Sequence, residues 1–458
     1  MTTTSVTRPV GRFGGPVVMP GDPTYDELRT VWNAMVDRRP RMIVGCTSVD
    51  DVVAAVRTAR ELDLEIGVRC GGHSAIGHAV PEDGLMIDLS PMGGVRVDPV
   101  RRRAWVQGGA LLGALDRAAQ AHGLATTAGN VSHTGVGGLT LGGGMGWLAR
   151  QYGLSCDNVA SFEVVTADGE VVRASAAEHP DLYWGLRGGG GNFGIVTEFE
   201  FRLHPVGTQA MLAEFTYPFE QGMQVLGGWR ELNQVAPREA TFTAFLGGDK
   251  SLTVGYVWVG DPTRARQLVP AMRGLGRPVA ERVLDLSYVA LQSMDDTVDG
   301  HAWRRYGKGH YLRHFSDDVI EAFLLRGTSD GAGNGPLPNV GLQAHGGAID
   351  DVPDGSTAFS HRGTLFEYTA GARWDDPAED ADRIDAARRC AAGLDRYSTG
   401  VYVNLVGDEG DAGVRRAYPP AQLARLTAVK DAYDPDNIFH LNHNIRPSGD
   451  ARLHAVAG

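Results

Sequence analysis

The strongest constraint on the fold of this chain is a glycine-rich stretch at residues 132–146. Its glycines alternate with apolar side chains and are Gly135, Gly137, Gly138, Gly142, Gly143, Gly144 and Gly146. A backbone with so few side chains can lie against a large flat or phosphorylated ligand. A flexible loop is the alternative, but a solvated linker would carry serine and charge where this stretch has Val136, Leu139 and Trp147.

Composition limits the partners of the chain. Its 458 residues are too many for one ordinary core and predict two domains, and 43% hydrophobic with 21% charged residues is typical of globular proteins. The net charge of −12 argues against nucleic acid and anionic membranes as partners. No apolar run is long enough for a transmembrane helix, and the N-terminus lacks the apolar segment of a signal peptide. We therefore expect a cytoplasmic protein that acts on a small molecule.

The pattern along the chain predicts an α+β fold. Residues 48–63 are expected to form a helix capped by Ser48, and a strand over 65–69 leads into a Gly-Gly-His sequence. Further strands are predicted at 85–89, 195–203 and 401–405, hairpins at 95–106 and 162–174, and helices at 111–121 and 421–432. We divide the chain into residues 1–204, residues 205–396, and a segment 397–458 that returns to the first domain.

Two shorter sequences point to chemistry. In Cys70-Gly71-Gly72-His73-Ser74, two glycines after a strand expose N–H groups that can hold a phosphate or a ring oxygen, and His73 would point at the same ligand. An ordinary turn with a hydrogen-bonded histidine is the alternative. Cys156 follows a glycine-rich turn beside Asp157, a poor apolar pocket, which favours a reactive thiol over a buried apolar cysteine.

Two common cofactor classes are disfavoured. The stretch from Gly189 to Gly194 matches the dinucleotide-binding pattern G-x-G-x-x-G, but it opens a strand-like segment instead of a helix. The histidines form no metal-binding pattern, and the four cysteines show no C-x-x-C spacing. A Rossmann NAD site and a metal site are therefore not expected.

Four ordered motifs together resemble the berberine bridge enzyme-like oxidases of the vanillyl-alcohol oxidase superfamily. They are Gly71-Gly72-His73-Ser74, the glycines of 135–146, Tyr-Gly-Leu-Ser-Cys156-Asp-Asn, and the ending Asp-Pro-Asp-Asn-Ile-Phe-His-Leu-Asn442-His-Asn444. The likeness covers residues 40–205 and 397–458. It implies an FAD-binding domain of two α+β subdomains and a substrate domain whose large antiparallel sheet is backed by helices.

The resemblance also implies a bicovalent flavin. In the family, the histidine of the first motif bonds the 8α-methyl carbon and the cysteine of the third bonds C6, which are His73 and Cys156 here. The other residues expected around FAD are Arg69, Cys70, Gly71, Gly72, Ser74, Gly135, Val136, Gly137, Gly138, Gly142, Gly143, Gly146, Asp157, Gly194, Ile195, Val196, Asn442 and Asn444. Two bonds would fix the ring while the protein supplies orientation and electrostatics.

The implied reaction is hydride transfer from an organic substrate to flavin N5, followed by reoxidation by O2 to H2O2. A monomer or homodimer is expected. Alcohol-oxidising relatives often carry a tyrosine base where this chain has Leu405, so an amine, a phenol or hydroquinone, or an alcohol with another base remains open. Thr134 stands where oxidases of the family usually carry valine. The candidate bases are Tyr311, Glu367, Tyr368 and Tyr402.

Two other functions remain open from the sequence. One is a carbohydrate oxidase that forms lactones, which Leu405 disfavours. The other is a flavin-holding protein that sequesters a drug-like ligand with little turnover, which an intact pair of attachment residues disfavours.

Overall fold

The computed structural model of the protein describes residues 12–297, 300–329, 331 and 337–449. Its strands, in chain order, are β1 (Val17–Val18), β2 (Met42–Gly45), β3 (Ile66–Arg69), β4 (Leu85–Asp88), β5 (Val95–Asp98), β6 (Arg103–Gln107), β7 (Leu124–Ala125), β8 (Val159–Val165), β9 (Val171–Ser175), β10 (Ile195–Arg202), β11 (His204–Pro205), β12 (Gln209–Tyr217), β13 (Ala240–Leu246), β14 (Leu252–Val259), β15 (Ala280–Ser287), β16 (Arg304–Leu312), β17 (Asn339–Ala344), β18 (Phe366–Trp374) and β19 (Ser398–Gly400).

The helices complete an α+β fold, which confirms the predicted class. They are α1 (Tyr25–Leu28), α2 (Val49–Glu61), α3 (Leu112–Gln120), α4 (Val136–Leu141), α5 (Ala149–Tyr152), α6 (Pro180–Leu186), α7 (Gly222–Val235), α8 (Pro262–Ala265), α9 (Val269–Arg273), α10 (Tyr288–Gln292), α11 (Asp317–Leu325), α12 (Asp380–Ala392), α13 (Gly410–Ala417) and α14 (Pro420–Tyr433). None of these described helices is long and apolar enough to cross a membrane. The expectation about a signal peptide depends on residues 1–11, which lie outside the described part of the chain.

The first sheet positions the Gly-Gly-His sequence. Its strand order is β1-β2-β4-β3, and β2, β4 and β3 run parallel. Helix α2 begins where predicted because the Ser48 hydroxyl accepts a hydrogen bond from the Asp51 N–H at 3.2 Å. Its buried Val52, Val56 and Ala59 pack in the core of this sheet. Strand β3 therefore ends on a rigid edge, directly before residues 70–73.

The second sheet contains both predicted hairpins, in the order β5-β6-β10-β8-β9. Strand β10 lies at its centre, so the glycine run that precedes Ile195 is held against the core. That core also contains Leu426 and Val429 of α14 and the buried Ile445. The C-terminal segment thus packs against the second sheet.

The third sheet is antiparallel and has eight strands in the order β15-β12-β14-β13-β17-β18-β16-β19. Helices α7, α11 and α12 cover one face through Trp229, Phe323 and Cys390. The other face lies toward the glycine-rich stretch, since Asn130 donates to the Gln343 side chain of β17 at 3.3 Å. The sheet spans residues 209–400, and the division of the chain at residues 204 and 396 stays a prediction.

The strand predicted at residues 401–405 is wrong. The chain instead makes a short 3-10 turn at Val403–Leu405 after β19. The N–H of Leu405 donates to the Tyr402 carbonyl at 2.8 Å, and the N–H of Val406 donates to the Val403 carbonyl at 3.1 Å. These local bonds take up the donors that a strand would give to a neighbouring strand.

Candidate functional site

A cavity of about 370 Å³ lies between the first two sheets and the C-terminal segment. Twelve of the predicted cofactor residues line it: Cys70, Gly71, Gly72, His73, Ser74, Gly135, Gly137, Gly138, Gly194, Ile195, Val196 and Asn442. Tyr402 and Thr134 are also in its wall. The structure therefore brings together three glycine runs that are far apart in the sequence.

The cavity wall requires glycine where two backbones meet. A Cβ added to Gly71 would lie 2.3 Å from the Gly135 nitrogen, and a Cβ on Gly135 would lie 2.4 Å from the Gly71 nitrogen. Farther along, Gly143 has a φ of +129°, and its added Cβ would lie 2.6 Å from the Phe359 ring. A side chain at Gly71 or Gly135 would separate segments that form the wall, and one at Gly143 would displace the Phe359 ring.

His73 stands in this wall with its ring held on two sides. Its Nε2 lies 2.8 Å from Nδ1 of His133, and its ring stacks on Trp32 with centroids 5.0 Å apart and planes 18° apart. Its Nδ1 has the Thr134 hydroxyl at 3.4 Å. Burial lowers the pKa of His73 to about 3, so the imidazole is neutral at neutral pH. A neutral imidazole can act as a nucleophile.

Cys156 lies in the 3-10 turn Ser155–Asn158 and is fully buried. Its N–H donates to the Gly143 carbonyl at 2.8 Å, which attaches the turn to the glycine-rich stretch. Burial, together with the charge of Asp157, raises the pKa of the Cys156 thiol well above its usual value. Cys156 belongs to the same core cluster as Tyr311 and Tyr402.

Asp157 and Arg362 hold this turn in place. Arg362 donates to both carboxylate oxygens of Asp157, at 2.7 and 3.0 Å, and Asp157 accepts from the Leu154 N–H at 2.9 Å. Both side chains are buried, with exposures of 2% for Arg362 and 7% for Asp157. Asp157 was predicted to lie near the cofactor. Its contacts stabilise the turn that carries Cys156.

The open face of the third sheet presents polar groups above this turn. Tyr311 of β16 pairs with Glu367 of β18, which pairs with Gln343 of β17, so the three side chains share one row. His345 follows β17, with its ring 5.4 Å from that of Tyr311 and its Nε2 3.6 Å from Oε2 of Glu367. We call Tyr311, His345 and Glu367 the roof cluster.

The roof cluster carries unused hydrogen-bonding capacity. The Tyr311 hydroxyl, both ring nitrogens of His345 and Oε2 of Glu367 are buried and have no hydrogen-bond partner among the described residues. Buried polar groups are normally paired with protein, water or ligand, so these atoms are available to bind a polar molecule. Burial and then the charge of Glu367 raise the pKa of Tyr311, so its hydroxyl is a neutral donor at neutral pH.

Tyr402 and Leu405 occupy the two ends of the 3-10 turn. The Tyr402 hydroxyl accepts from the Gly144 N–H at 2.8 Å and from the Asn404 amide at 2.7 Å, and burial raises its pKa. Leu405 packs on the open face of the third sheet, since a Cβ added to Gly309 would lie 2.9 Å from the Leu405 Cβ. Leu405 therefore fills space on the same sheet face as Tyr311.

Tyr368 lies away from the other three candidate bases. It follows Glu367 on β18 and so points to the opposite face of the sheet. There it is fully buried among the helices, and its hydroxyl contacts the Cys390 sulfur at 3.4 Å. This position is incompatible with the predicted role of a base.

Several residues that were predicted around the cofactor do not line the cavity but stabilise the segments that form it. Arg69 forms a bidentate pair with Asp88 at 2.6 and 3.0 Å, which joins β3 to β4. Gly142 contacts the Asn404 side chain, since its added Cβ would lie 2.2 Å from Oδ1. The other members that are not in the wall of the cavity are Val136, Gly143, Gly146, Cys156, Asp157 and Asn444.

Sequence reasoning missed the residues that contact His73 and complete the roof cluster. Trp32, His133 and His345 were not among the candidates. A weak signal was available for two of them, because His345 precedes Gly346-Gly347 and His133 stands at the start of the glycine-rich stretch, as His73 follows Gly71-Gly72. Trp32 carries no comparable sign.

The C-terminal motif is explained by a buried ion pair. The ammonium of Lys430 contacts Asp434 at 2.6 Å and the carbonyls of Asn192 and Phe439 at 2.9 and 3.0 Å, and neither charged side chain is exposed. Asp434 in turn accepts from the N–H groups of Ile438 and Phe439. This pair fixes the third glycine run against the segment that carries Asn442.

The cavity fits FAD. It has glycine walls that admit a flat ring, a neutral histidine in the wall, and the Asn442 side chain with a buried oxygen that has no partner within the described chain. The described residues contain no group of three or more potential metal ligands.

Known proteins agree with this reading. Residues 40–175 match the FAD binding domain family, and residues 401–446 match the berberine and berberine-like family. The chain is 33% identical to (R)-6-hydroxynicotine oxidase of Paenarthrobacter nicotinovorans over 95% of its own length and 97% of the relative's. The crystal structure of 6-hydroxy-D-nicotine oxidase from Arthrobacter nicotinovorans superposes with a TM-score of 0.84 at 30% identity, covering 98% of this chain and all of that one.

A more distant solved structure shares the fold. Glucooligosaccharide oxidase from Acremonium strictum, which carries a 6-S-cysteinyl, 8α-N1-histidyl FAD, has a TM-score of 0.85 at 24% identity and covers 94% of this chain and 97% of its own. The two family matches and the 33% identical relative together identify the chain. It belongs to the berberine bridge enzyme-like FAD-linked oxidoreductases.

Proposed function

We propose that this oxidoreductase is an oxidase whose FAD is bonded to His73 and Cys156, and that its substrate is a small organic amine or phenol bound under the roof cluster. The observation that carries the proposal is the set of unpartnered polar atoms on Tyr311, His345 and Glu367 beside the Cys156 turn. Bound FAD would supply a two-electron acceptor that O2 can reoxidise, with release of H2O2.

The chemistry of the roof cluster favours a substrate that carries an N–H or O–H group. Glu367 is the only carboxylate in the cluster, and Tyr311 beside it stays neutral. A carboxylate oxygen accepts a hydrogen bond from an amine or a phenol, and it can hold the proton when that group must be neutral for oxidation. The Tyr311 hydroxyl can donate to the substrate from the neighbouring strand.

Similarity supports an amine in particular, since the relative at 33% identity is named for oxidising (R)-6-hydroxynicotine. A lactone-forming sugar oxidase is the second candidate, because glucooligosaccharide oxidase has this fold. Leu405 weighs against it, as it packs on Gly309 and cannot accept a proton.

The covalent links can be tested on the purified protein. We expect a yellow precipitate after acid treatment, which persists in His73→Ala and in Cys156→Ser but is lost in the double variant. A colourless precipitate from the unmodified protein would contradict both links. If one single substitution alone abolished the yellow colour of the precipitate, the flavin would be bonded only to the residue that was replaced.

The substrate class can be tested by anaerobic flavin bleaching with amines, phenols, alcohols and sugars. We expect bleaching by an amine or phenol, with H2O2 released when air is admitted. Glu367→Gln should slow bleaching about 10²-fold or more, the usual range for loss of a proton acceptor. Exposed Glu321→Gln is the matched control. Bleaching by sugars alone would favour the lactone reaction, and binding without bleaching would favour a sequestering protein.

A further inference from the structure

His133 occupies one of the two ring nitrogens of His73. Nδ1 of His133 lies 2.8 Å from Nε2 of His73, with ring centroids 4.8 Å apart. This distance is that of a hydrogen bond, and one proton lies between the two nitrogens. His133 comes from the glycine-rich stretch, sixty residues along the chain, so the contact depends on the folded cavity.

A flip of the His73 ring, which would exchange the positions of Nδ1 and Nε2, would break the hydrogen bond to His133. Trp32 stacks on one face, and its backbone N–H donates to the Gly72 carbonyl at 3.0 Å, which ties the Trp32 segment to the turn before His73. Arg305 covers the Trp32 ring at 4.0 Å. The only polar contact of Nδ1 among the described residues is the Thr134 hydroxyl at 3.4 Å, which is long for an O–H···N bond.

The hydrogen bond to His133 decides which nitrogen of His73 is nucleophilic. A neutral imidazole has one N–H and one lone pair, and the partner of one nitrogen sets the state of the other. Two tautomers fit this distance, and we take the one in which Nε2–H of His73 donates to His133 and the lone pair is on Nδ1. Nδ1 is therefore the atom free to form a bond.

We propose that His133 is a positioning residue for flavin attachment: it directs Nδ1 of His73 to the 8α carbon and takes the Nε2 proton as the bond forms. The inference rests on the proposed histidyl link. The Nδ1–C bond forms as an 8α C–H bond breaks, and the two electrons of that bond stay on the isoalloxazine until O2 removes them. In total, one methyl C–H, one imidazole N–H and O2 give the linked flavin and H2O2.

The test measures attachment, not turnover. Cys156→Ser leaves His73 as the only expected anchor, so all variants are made in that background. Apoprotein produced without riboflavin is mixed with FAD in air, samples are denatured at intervals, and the in-gel fluorescence of covalent flavin gives the rate. Peptide mapping with NMR of the flavinyl peptide identifies the bonded nitrogen.

Two substitutions of His133 distinguish a hydrogen-bonding role toward His73 from a role in packing alone. His133→Leu removes the acceptor and should slow attachment about 10²-fold, the size of a lost proton acceptor. His133→Asn places an amide oxygen near the former Nδ1 and should restore part of the rate, since it accepts a hydrogen bond but cannot take the proton. His122→Leu, at an exposed histidine of the same part of the chain, should match the background. Non-covalent FAD binding reports folding in each case.

The outcomes are distinct. A background protein that gains no covalent flavin overturns the histidyl link itself. If the background protein forms the link normally, either of two results overturns the role of His133. One is that His133→Leu attaches FAD at the background rate, and the other is that the bond is at Nε2. If His133→Leu fails to bind FAD, the rate of His133→Asn decides: a rate equal to background overturns the proposal, and a slower rate at Nδ1 supports it.

Discussion

The buried pair between Arg362 and Asp157 offers a quantitative test of how Cys156 is positioned. Arg362→Met keeps the unbranched apolar part of the side chain but removes the guanidinium that meets both carboxylate oxygens. Asp157 would then remain buried with the Leu154 N–H as its hydrogen-bond donor. Removing one partner of such a buried pair costs about 3–5 kcal/mol because the other charge is left uncompensated.

The expected cost can be measured by urea unfolding of the Arg362→Met variant and the parent protein, prepared in the same flavin state. The control is Arg266→Met, which breaks an exposed pair with Asp285, where the side chains are 49% and 53% exposed. Exposed pairs contribute up to about 1 kcal/mol. The double variant Arg362→Met with Asp157→Asn should recover part of the loss, because no buried charge remains.

A second measurement, the fraction of covalently bound flavin, tests whether the Arg362–Asp157 pair also positions Cys156. In a His73→Ala background, Cys156 is the only expected anchor, and Arg362→Met should reduce the fraction of covalent flavin. If Arg362→Met costs no more than Arg266→Met, the pair does not stabilise the turn. If stability falls but attachment is unchanged, the pair supports the fold without placing the thiol.

Three further predictions concern other parts of the molecule. Burial raises the pKa of Asp116 to about 7, so the folded state binds the proton more tightly than the unfolded chain. The free energy of unfolding should therefore fall by roughly 4 kcal/mol as the pH rises from about 4 through 7. Asp116→Asn should remove this pH dependence, as urea unfolding at several pH values would show. Lys430→Met should lower the stability by about 3–5 kcal/mol because Asp434 is left charged and fully buried, against no comparable loss for Arg383→Met at a partly exposed pair with Glu379, as thermal unfolding would show. Gly71→Ala should abolish FAD retention on gel filtration because its Cβ meets the Gly135 nitrogen at 2.3 Å, whereas Gly363→Ala, with open space around it, should retain FAD.

Local rules predicted much of the fold. Helix α2 follows from a serine cap and an apolar stripe, and the two hairpins follow from their turn residues and alternation. The failure at residues 401–405 has a physical cause: the sequence there has strand-forming residues, but Tyr402 binds Gly144 across more than 250 residues, and the local backbone bonds close a 3-10 turn. Such a long-range contact leaves no periodic trace in the sequence.

The site was predictable where glycine marks it and unpredictable where single side chains meet. The glycine runs and His73 stand out in the sequence and lie in the cavity wall, while the role of Cys156 as a flavin anchor stays a prediction. Trp32 and His133 reach His73 through the fold, and His345 reaches Glu367 from the end of a neighbouring strand. Each of these contacts joins segments whose sequences say nothing about each other.

Sheet register sets the geometry of the roof cluster. Tyr311 and Glu367 are directly paired on neighbouring strands, and their chain neighbours His310 and Tyr368 are paired in the same way one residue away. Because side chains alternate between faces, a one-residue shift of β18 would turn Tyr368 to the open face and bury Glu367 among the helices. The candidate bases Glu367 and Tyr368, adjacent in sequence, therefore lie on opposite faces of the sheet, and the register that packs Tyr368 against Cys390 also places Glu367 on the face that carries Tyr311.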